Sequence, residues 1–140
     1  MPEYAGLAEG SSLPPRTLAP IPQIDVVRYA GASGDFNPIH TVPEGAAKAG
    51  LPGTIAHGMM SMGLLGTYLT DWMGDSARLV KFGSRFAAMT FPGDALTLSA
   101  KISRKYIENG ESRADLDLAV EKQGGVVTVK GWATVAWVKP

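Results

Sequence analysis

The run from Gly58 to Met73 constrains the fold more than any other stretch, because it carries a single charged residue, Asp71, close to its end. A helix that is apolar on nearly every face is predicted to be buried. Spanning a bilayer takes about 20 apolar residues, so this shorter run predicts a core helix and no membrane insertion. Gly63 and Gly66 weaken the helix but leave a bare face, which we expect another backbone to approach.

Strand patterns fill the chain after this helix. Four segments are predicted as strands, and each has one apolar face: Ala77–Phe86, Ala95–Ser103, Arg113–Glu121 and Val126–Val138. Short turns such as Phe91–Asp94 separate them, so we expect an antiparallel meander. Asn109-Gly110 is a hairpin signal, which we place in a longer loop. A sheet curled around one apolar helix predicts an α+β hot-dog fold in a single domain, residues 1–140, with a second subunit covering the remaining apolar surface.

Residues 1–22 are rich in Gly, Ser and Pro and predict an irregular arm. A short strand, a helix and a helical turn are predicted at Arg16–Ala19, Gln23–Ala32 and Pro43–Lys48. Pro22 suits the first turn of that helix. Ile24, Val27 and either Ala30 or Gly31 recur at helical spacing, so we expect these positions to face the core.

Composition excludes several classes of function. Thirteen basic residues balance thirteen acidic ones without a basic run, so no nucleic-acid partner and no anionic membrane surface are expected. Cysteine is absent, which rules out disulfides and a thiol nucleophile. The first ten residues have no signal-peptide pattern, and we expect a cytoplasmic location. Two histidines without an H-E-x-x-H pattern predict no metal site.

The segment Tyr29–His40 places an acid and an imidazole within six residues of each other, at Asp35 and His40. Asn37-Pro38 disfavours helix between them, so both side chains lie on a bent loop, whose shape we assign to Ser33, Gly34, Asn37 and Pro38. One interpretation is that Asp35 and His40 share a water and move its protons. The other is plain turn chemistry, with Asp35 as a turn or capping residue and His40 as an ordinary loop histidine.

The start of the apolar helix supplies a second candidate feature. Backbone N–H groups in a first helical turn lack partners and lie at the positive end of the helix dipole. A carbonyl oxygen that gains negative charge would be stabilised there, and Gly58 has no side chain to block its N–H. The position of His57 favours a helix-start residue whose side chain bonds the nearby backbone over a proton carrier. The two features together fit addition of water across a double bond conjugated to a carbonyl, or its reversal.

These residues resemble a known family. Tyr29-x-x-x-Ser33-Gly34-Asp35-x-Asn37-Pro38-Ile39-His40, followed by Ala56-His57-Gly58-Met59, is similar to the signature of MaoC-like dehydratases, also called R-specific enoyl hydratases. The resemblance is particularly close to the catalytic subunit of the (3R)-hydroxyacyl-ACP dehydratases. That closer likeness is carried by two segments, Gly53–Met59 and Tyr68–Gly74. In the first, the spacing between Gly53 and Ala56 is one residue shorter than in that subunit.

The resemblance implies a hot-dog dimer that reversibly hydrates a trans-2-enoyl thioester to the (3R)-3-hydroxyacyl thioester, with syn geometry. Asp35 and His40 match the family's catalytic pair, and Gly58, flanked by His57 and Met59, matches the backbone donor to the thioester carbonyl. No metal or redox cofactor is implied, and the acyl group arrives on CoA or acyl-carrier protein. Gly66 or its neighbours stand where some members carry a hydroxyl residue, so the resemblance does not carry over a third polar participant.

Two other functions remain open at this point. A hot-dog thioesterase also polarises a thioester carbonyl at a helix N-terminus but uses a carboxylate, often on the apolar helix, where this chain has only Asp71. An acyl-binding subunit of a hetero-oligomeric dehydratase would need no catalytic pair. Asp35 and His40 together favour the catalytic role, with either a copy of this chain or another hot-dog subunit as the partner.

Overall fold

In the computed structural model, which describes residues 3–137, a long helix lies against a five-stranded antiparallel sheet. The helices are α1 Gln23–Ser33, α2 Pro43–Lys48 and α3 Gly58–Met73. The strands are β1 Arg16–Thr17, β2 Ala77–Phe86, β3 Leu96–Glu108, β4 Glu111–Lys122 and β5 Val126–Trp137. The predicted bounds of α2, α3 and β2 are confirmed, whereas Val138 and the ends of the predicted domain lie outside the described residues.

The sheet order is β1-β3-β4-β5-β2, so the predicted meander of four strands is wrong for its first member. Only β3, β4 and β5 follow one another as hairpins. Strand β2 pairs with β5 at the far edge, in a register that runs from Ala77 opposite Trp137 to Phe86 opposite Val129. The backbone stays beside β5 directly after β2 ends, since Ala87 N–H donates to Thr128 O (2.8 Å).

The β3–β4 hairpin is longer than the sequence pattern predicts. Its turn consists of Asn109 and Gly110 alone, both with positive φ (53° and 77°), as a two-residue turn requires. Placing this pair in a longer loop was therefore wrong. The register shifts between Ile102 and Arg104, so a bulge at Ser103 ends the alternation of side chains while the strand continues.

Helix α3 contacts the inner face of β2, β4 and β5, and this arrangement confirms the hot-dog fold. Its buried positions are Ser61, Leu65, Tyr68, Leu69 and Met73. The opposite face is open in the single chain, and it is this surface that we expected a second subunit to cover. Gly63 faces open space and Gly66 faces the Phe82 ring, with no backbone close to either. The sheet covers only one side of the helix, so the expected approach of another backbone to these glycines is not found among the described residues.

Helix α1 is rotated relative to its predicted orientation. Val26 and Ala30 are fully buried, whereas Ile24 and Val27 are 51% and 42% exposed. Apolar residues at three of the first five helical positions made the sequence pattern ambiguous about the inward face. The helix ends one residue later than predicted, at Ser33.

The N-terminal arm runs along β3, where Leu13 N–H donates to Ala100 O (2.9 Å). Its strand is only Arg16–Thr17, shorter than the predicted Arg16–Ala19, because Pro20 and Pro22 follow closely and carry no N–H to pair with a neighbour. Among residues 3–137, no helix has both the length and the apolar character that crossing a membrane requires.

Candidate active site

The loop between α1 and α2 begins at a left-handed glycine. Gly34 has φ of 76° and closes α1 by donating its N–H to Ala30 O (3.0 Å). Glycine adopts this conformation without the steric cost that a Cβ would bring. Ser33 Oγ accepts a hydrogen bond from Asp35 N–H (3.2 Å). Ser33 and Gly34 therefore turn the chain out of the helix and direct Asp35 across the helix end.

Two side chains then fix the bend of the loop. Asp35 Oδ1 accepts from Asn37 N–H (3.2 Å), and Asn37 Oδ1 accepts from Ile39 N–H (3.2 Å). Pro38 starts a 3₁₀ turn that ends at His40. Since Oδ1 of Asp35 accepts the hydrogen bond from Asn37 N–H within the loop, Oδ2 is the oxygen that is available to bind a water or substrate.

His40 is buried and its ring orientation is fixed. Its Nδ1 lies 2.7 Å from Ile55 O, and because a carbonyl can only accept, Nδ1 carries the proton. The free lone pair is therefore on Nε2, which lies 3.7 Å from Asp35 Oδ2. That gap is too long for a direct hydrogen bond but suits a water that contacts both atoms. His40 O also accepts from Gln23 Nε2 (2.9 Å), which ties the turn to α1.

The three residues at the start of α3 have different environments. His57 is 2% exposed; its ring stacks on His40 with 3.6 Å between centroids, and its Nε2 lies 3.1 Å from Asp35 O. Gly58 is the first helical residue, so its N–H has no acceptor within the helix. The Phe86 ring lies so close to Gly58 that a Cβ there would be 2.7 Å from it. The side chain of Met59 is 54% exposed beside them.

The structure therefore brings Asp35, His40 and His57 into one cluster, next to the first turn of α3. A cavity of about 200 Å³ opens beside Gly58. Its lining is mostly apolar and includes Ile55, Ala56, Phe86 and Met89. Larger grooves lie elsewhere, and one of about 580 Å³ on the outer sheet face around Trp132 mixes acidic and basic side chains.

A metal does not fit this cluster, although Asp35, His40 and His57 offer one ligand atom each within 4.8 Å of one another. The planes of the two stacked rings are inclined by only 23°. A metal about 2 Å from one ring nitrogen and in its plane would lie well outside the plane of the other ring. Such a stack cannot direct both lone pairs at one ion without separating the rings.

The carboxylate considered for a thioesterase lies far from this site. Asp71 is thirteen residues along α3 from Gly58, about 20 Å at the helical rise per residue. It is paired with Arg16 (2.7 Å) on the surface. The structure thus offers no carboxylate from α3 near the first turn.

A second loop supports the start of α3 from the other side. Thr90 O accepts from Ala56 N–H (2.8 Å), and the turn after Thr90 is held by the buried Asp94. Burial alone would raise the pKa of Asp94, but hydrogen bonds from Phe91 N–H and Gln123, together with Lys122, lower it below its ordinary value. Asp94 is therefore stable as a charged anchor for this loop.

Several supporting groups carried no sequence signal. The carbonyl of Ile55 fixes His40, but any residue type supplies a carbonyl. Gln23 sits in an ordinary first helical turn, and nothing in the sequence connects it to His40. Phe86 ends a strand of regular pattern, so its contact with Gly58 depends on the pairing of β2 with β5, which sequence reasoning missed.

Comparison with known families gives one match across most of the chain. A family model described as "MaoC like domain" matches residues 8–123. A stretch of 109 residues is 33% identical to part of fatty acid synthase subunit beta from Saccharomyces cerevisiae. It covers 76% of this chain and 5% of that protein. Enoyl-CoA hydratase ChsH3 from Mycobacterium tuberculosis is 38% identical over 68 residues, covering 47% of this chain and 24% of that protein.

Among solved structures, R-hydratase PhaJ1 from Pseudomonas aeruginosa superposes with a TM-score of 0.85 and 28% identity, covering 98% of this chain and 86% of the other. Nearly the whole of this chain, 98%, is therefore matched by that structure. It spans only a small part of the two sequence relatives, at 5% and 24% of their lengths.

Proposed function

The chain belongs to the MaoC-like dehydratase family, and on that premise we propose that it reversibly adds water to a trans-2-enoyl thioester with syn geometry. The product is the (3R)-3-hydroxyacyl thioester, and the reaction belongs to fatty acid metabolism. The observation that carries the proposal is the 3.7 Å separation of Asp35 Oδ2 and His40 Nε2, two acceptors left free by the hydrogen bonds that hold their other atoms.

A water held between these two acceptors is the nucleophile. His40 Nε2 takes a proton from the water while the water oxygen bonds to C3 of the enoyl group. The same nitrogen then returns a proton to C2, so that one hydroxyl and one hydrogen are added overall. Asp35 Oδ2 orients the water and faces the imidazolium that forms. Because both additions come from one side of the substrate, the geometry is syn. No electron is gained or lost, so the reaction requires no redox cofactor.

The thioester carbonyl lies at the first turn of α3. Negative charge builds on its oxygen as water adds to C3, and the Gly58 N–H stabilises that charge at the positive end of the helix. The missing Cβ of Gly58 leaves room for the Phe86 ring, which packs against it. The cavity beside Gly58 provides apolar space for part of the acyl group, with Phe86 and Met89 at its wall. His57 and Met59 flank this position.

We assign the acyl carrier to CoA or acyl-carrier protein and the assembly to a dimer, with a copy of this chain or another hot-dog subunit. The open face of α3 and the exposed apolar side chains of Ile24, Val27 and Met59 support a partner subunit. Residues 1–140 form one domain in this proposal, located in the cytoplasm.

Single substitutions at the two acceptors test the proposal. Asp35→Asn keeps Oδ1 for Asn37 N–H, and His40→Asn keeps a donor for Ile55 O, so the loop retains both bonds while the chemistry is lost. Hydration of an enoyl-CoA, followed by loss of its absorbance, should fall by about 100-fold or more in each variant. Asp25→Asn, which removes only a surface pair with Arg28, is the control. Near wild-type rates in both Asp35 and His40 variants would remove the proposed mechanism.

A further inference from the structure

The side chain of His57 has a fixed proton position. Its Nε2 lies 3.1 Å from the main-chain O of Asp35, and a carbonyl oxygen only accepts, so Nε2 is the protonated nitrogen. The other nitrogen, Nδ1, is buried and has no hydrogen-bond partner among the described residues. A proton on Nδ1 would thus be an unpaired buried donor, which is costly.

The two histidines have opposite tautomers in one stack. His40 carries its proton on Nδ1 and leaves Nε2 free, whereas His57 carries its proton on Nε2 and has that nitrogen occupied. The groups that face the His57 ring are the His40 ring at 3.6 Å, the Tyr29 ring at 4.8 Å and the Asp35 carboxylate, 4.0 Å from Nε2. The hydrogen bonds therefore separate the roles of two rings that the sequence cannot distinguish.

We propose that His57 is a positioning residue for the hydration reaction: it holds the main chain of Asp35 through Nε2–H and supports the ring face of His40, without exchanging a proton with the substrate. The kinetic part of this inference rests on the proposed hydratase function. A neutral aromatic face beneath His40 favours the imidazolium that forms there during reaction. The bond to Asp35 O keeps Asp35 Oδ2 at its distance from His40 Nε2.

The tautomers can be measured without any activity. The chain has only two histidines, so isotope labelling of histidine gives two ring spin systems by nitrogen NMR. His57→Phe removes one system and assigns both. In the neutral form, we expect the system that disappears to be the Nε2–H tautomer and the one that remains to be Nδ1–H. A neutral Nδ1–H tautomer for His57 would overturn the inference.

Three substitutions separate the two contributions of His57 to catalysis. His57→Phe keeps an aromatic ring without the donor, His57→Gln keeps an N–H donor without the ring, and His57→Ala removes both. Per folded molecule, we expect kcat to fall about 10-fold in the first two variants and about 100-fold in the third, with KM changed less than about 3-fold. Rescue by Phe and Gln relative to Ala is the sign of positioning.

Circular dichroism and thermal unfolding give the folded fraction for each variant. Unchanged kcat per folded molecule in all the variants that fold would show a merely structural role and overturn the inference. If His57→Ala does not fold, the Phe and Gln variants still decide the outcome against wild type. A wild-type chain without hydratase activity would refute the proposed function instead, and the NMR tautomers would still test the placement of His57.

Discussion

Gly45 stands where a methyl group would press on the turn that carries His40. A Cβ at this position would lie 2.5 Å from Pro38 Cβ and 3.1 Å from both Pro38 C and Pro38 O. Carbon atoms in contact are normally about 3.5 to 4.0 Å apart. Gly45→Ala therefore requires α2 and the Pro38–His40 turn to separate by about 1 to 1.5 Å, and because two of the crowded atoms belong to the backbone, a side-chain rotation cannot relieve the contact.

The expected effect of Gly45→Ala is larger on activity than on stability. A misplacement of about 1 Å at a reacting group costs about 100-fold in kcat, equivalent to about 2.7 kcal/mol in the barrier. Stability changes less, because overpacking costs about 1 to 3 kcal/mol while replacing a helical glycine by alanine returns up to about 1 kcal/mol. The net loss in the free energy of unfolding is then about 0 to 3 kcal/mol.

Gly31→Ala is the matched control for this prediction. Gly31 is also helical, and a Cβ there meets nothing within 4 Å. This control should be slightly more stable than wild type and fully active. Hydration rates from enoyl absorbance and urea unfolding curves give the two quantities for each variant. If Gly45→Ala is as active and as stable as Gly31→Ala, the close packing of α2 on the Pro38–His40 turn does not position His40 for the proposed reaction.

Three stability predictions follow from other positions. The folded-state pKa of Asp94 is lowered, so the stability that this carboxylate contributes is present above the unfolded-state pKa of about 3.9 and is lost as pH falls through the folded-state pKa. Asp94→Asn should therefore lower the urea midpoint at pH 7 and make that midpoint less dependent on pH in acid. Gly131→Ala should destabilise by about 1 to 3 kcal/mol, because a Cβ would lie 3.1 Å from Leu65 and 3.2 Å from Leu118; an unchanged urea midpoint would contradict this. Gly110→Ala should cost about 1 to 2 kcal/mol by the same measurement, because Gly110 has φ of 77°.

The elements that the sequence predicts well are those whose signal is local. The bounds of α3 follow from a long, mostly apolar run, and the start of α2 follows from its proline. The pairing of β2 with β5 joins residues about fifty positions apart, and nothing local distinguishes it from pairing with β3. The bulge at Ser103 ends the apolar–polar alternation of β3, although the strand itself continues to Glu108. The sequence pattern therefore stops before the strand does.

The candidate site also combines features with a local sequence signal and features that depend on the fold. Asp35, His40 and Gly58 can be proposed from the sequence, because side-chain type and the proline-containing bend are visible there. The proton positions on the two histidines cannot be, since they depend on the carbonyls of Ile55 and Asp35. Those contacts join segments that are fifteen and twenty-two residues apart in the chain, and only the fold brings them together.

The stereochemistry of hydration tests the central claim most directly. Purified chain is incubated with a trans-2-enoyl-CoA, and the enantiomers of the 3-hydroxyacyl product are separated, with Asp35→Asn and His40→Asn in parallel. The account predicts the (3R) product from wild type and at least about 100-fold less from either variant. A wild-type chain that forms no hydroxyacyl product or forms the (3S) enantiomer, or a variant that matches wild type, would contradict it.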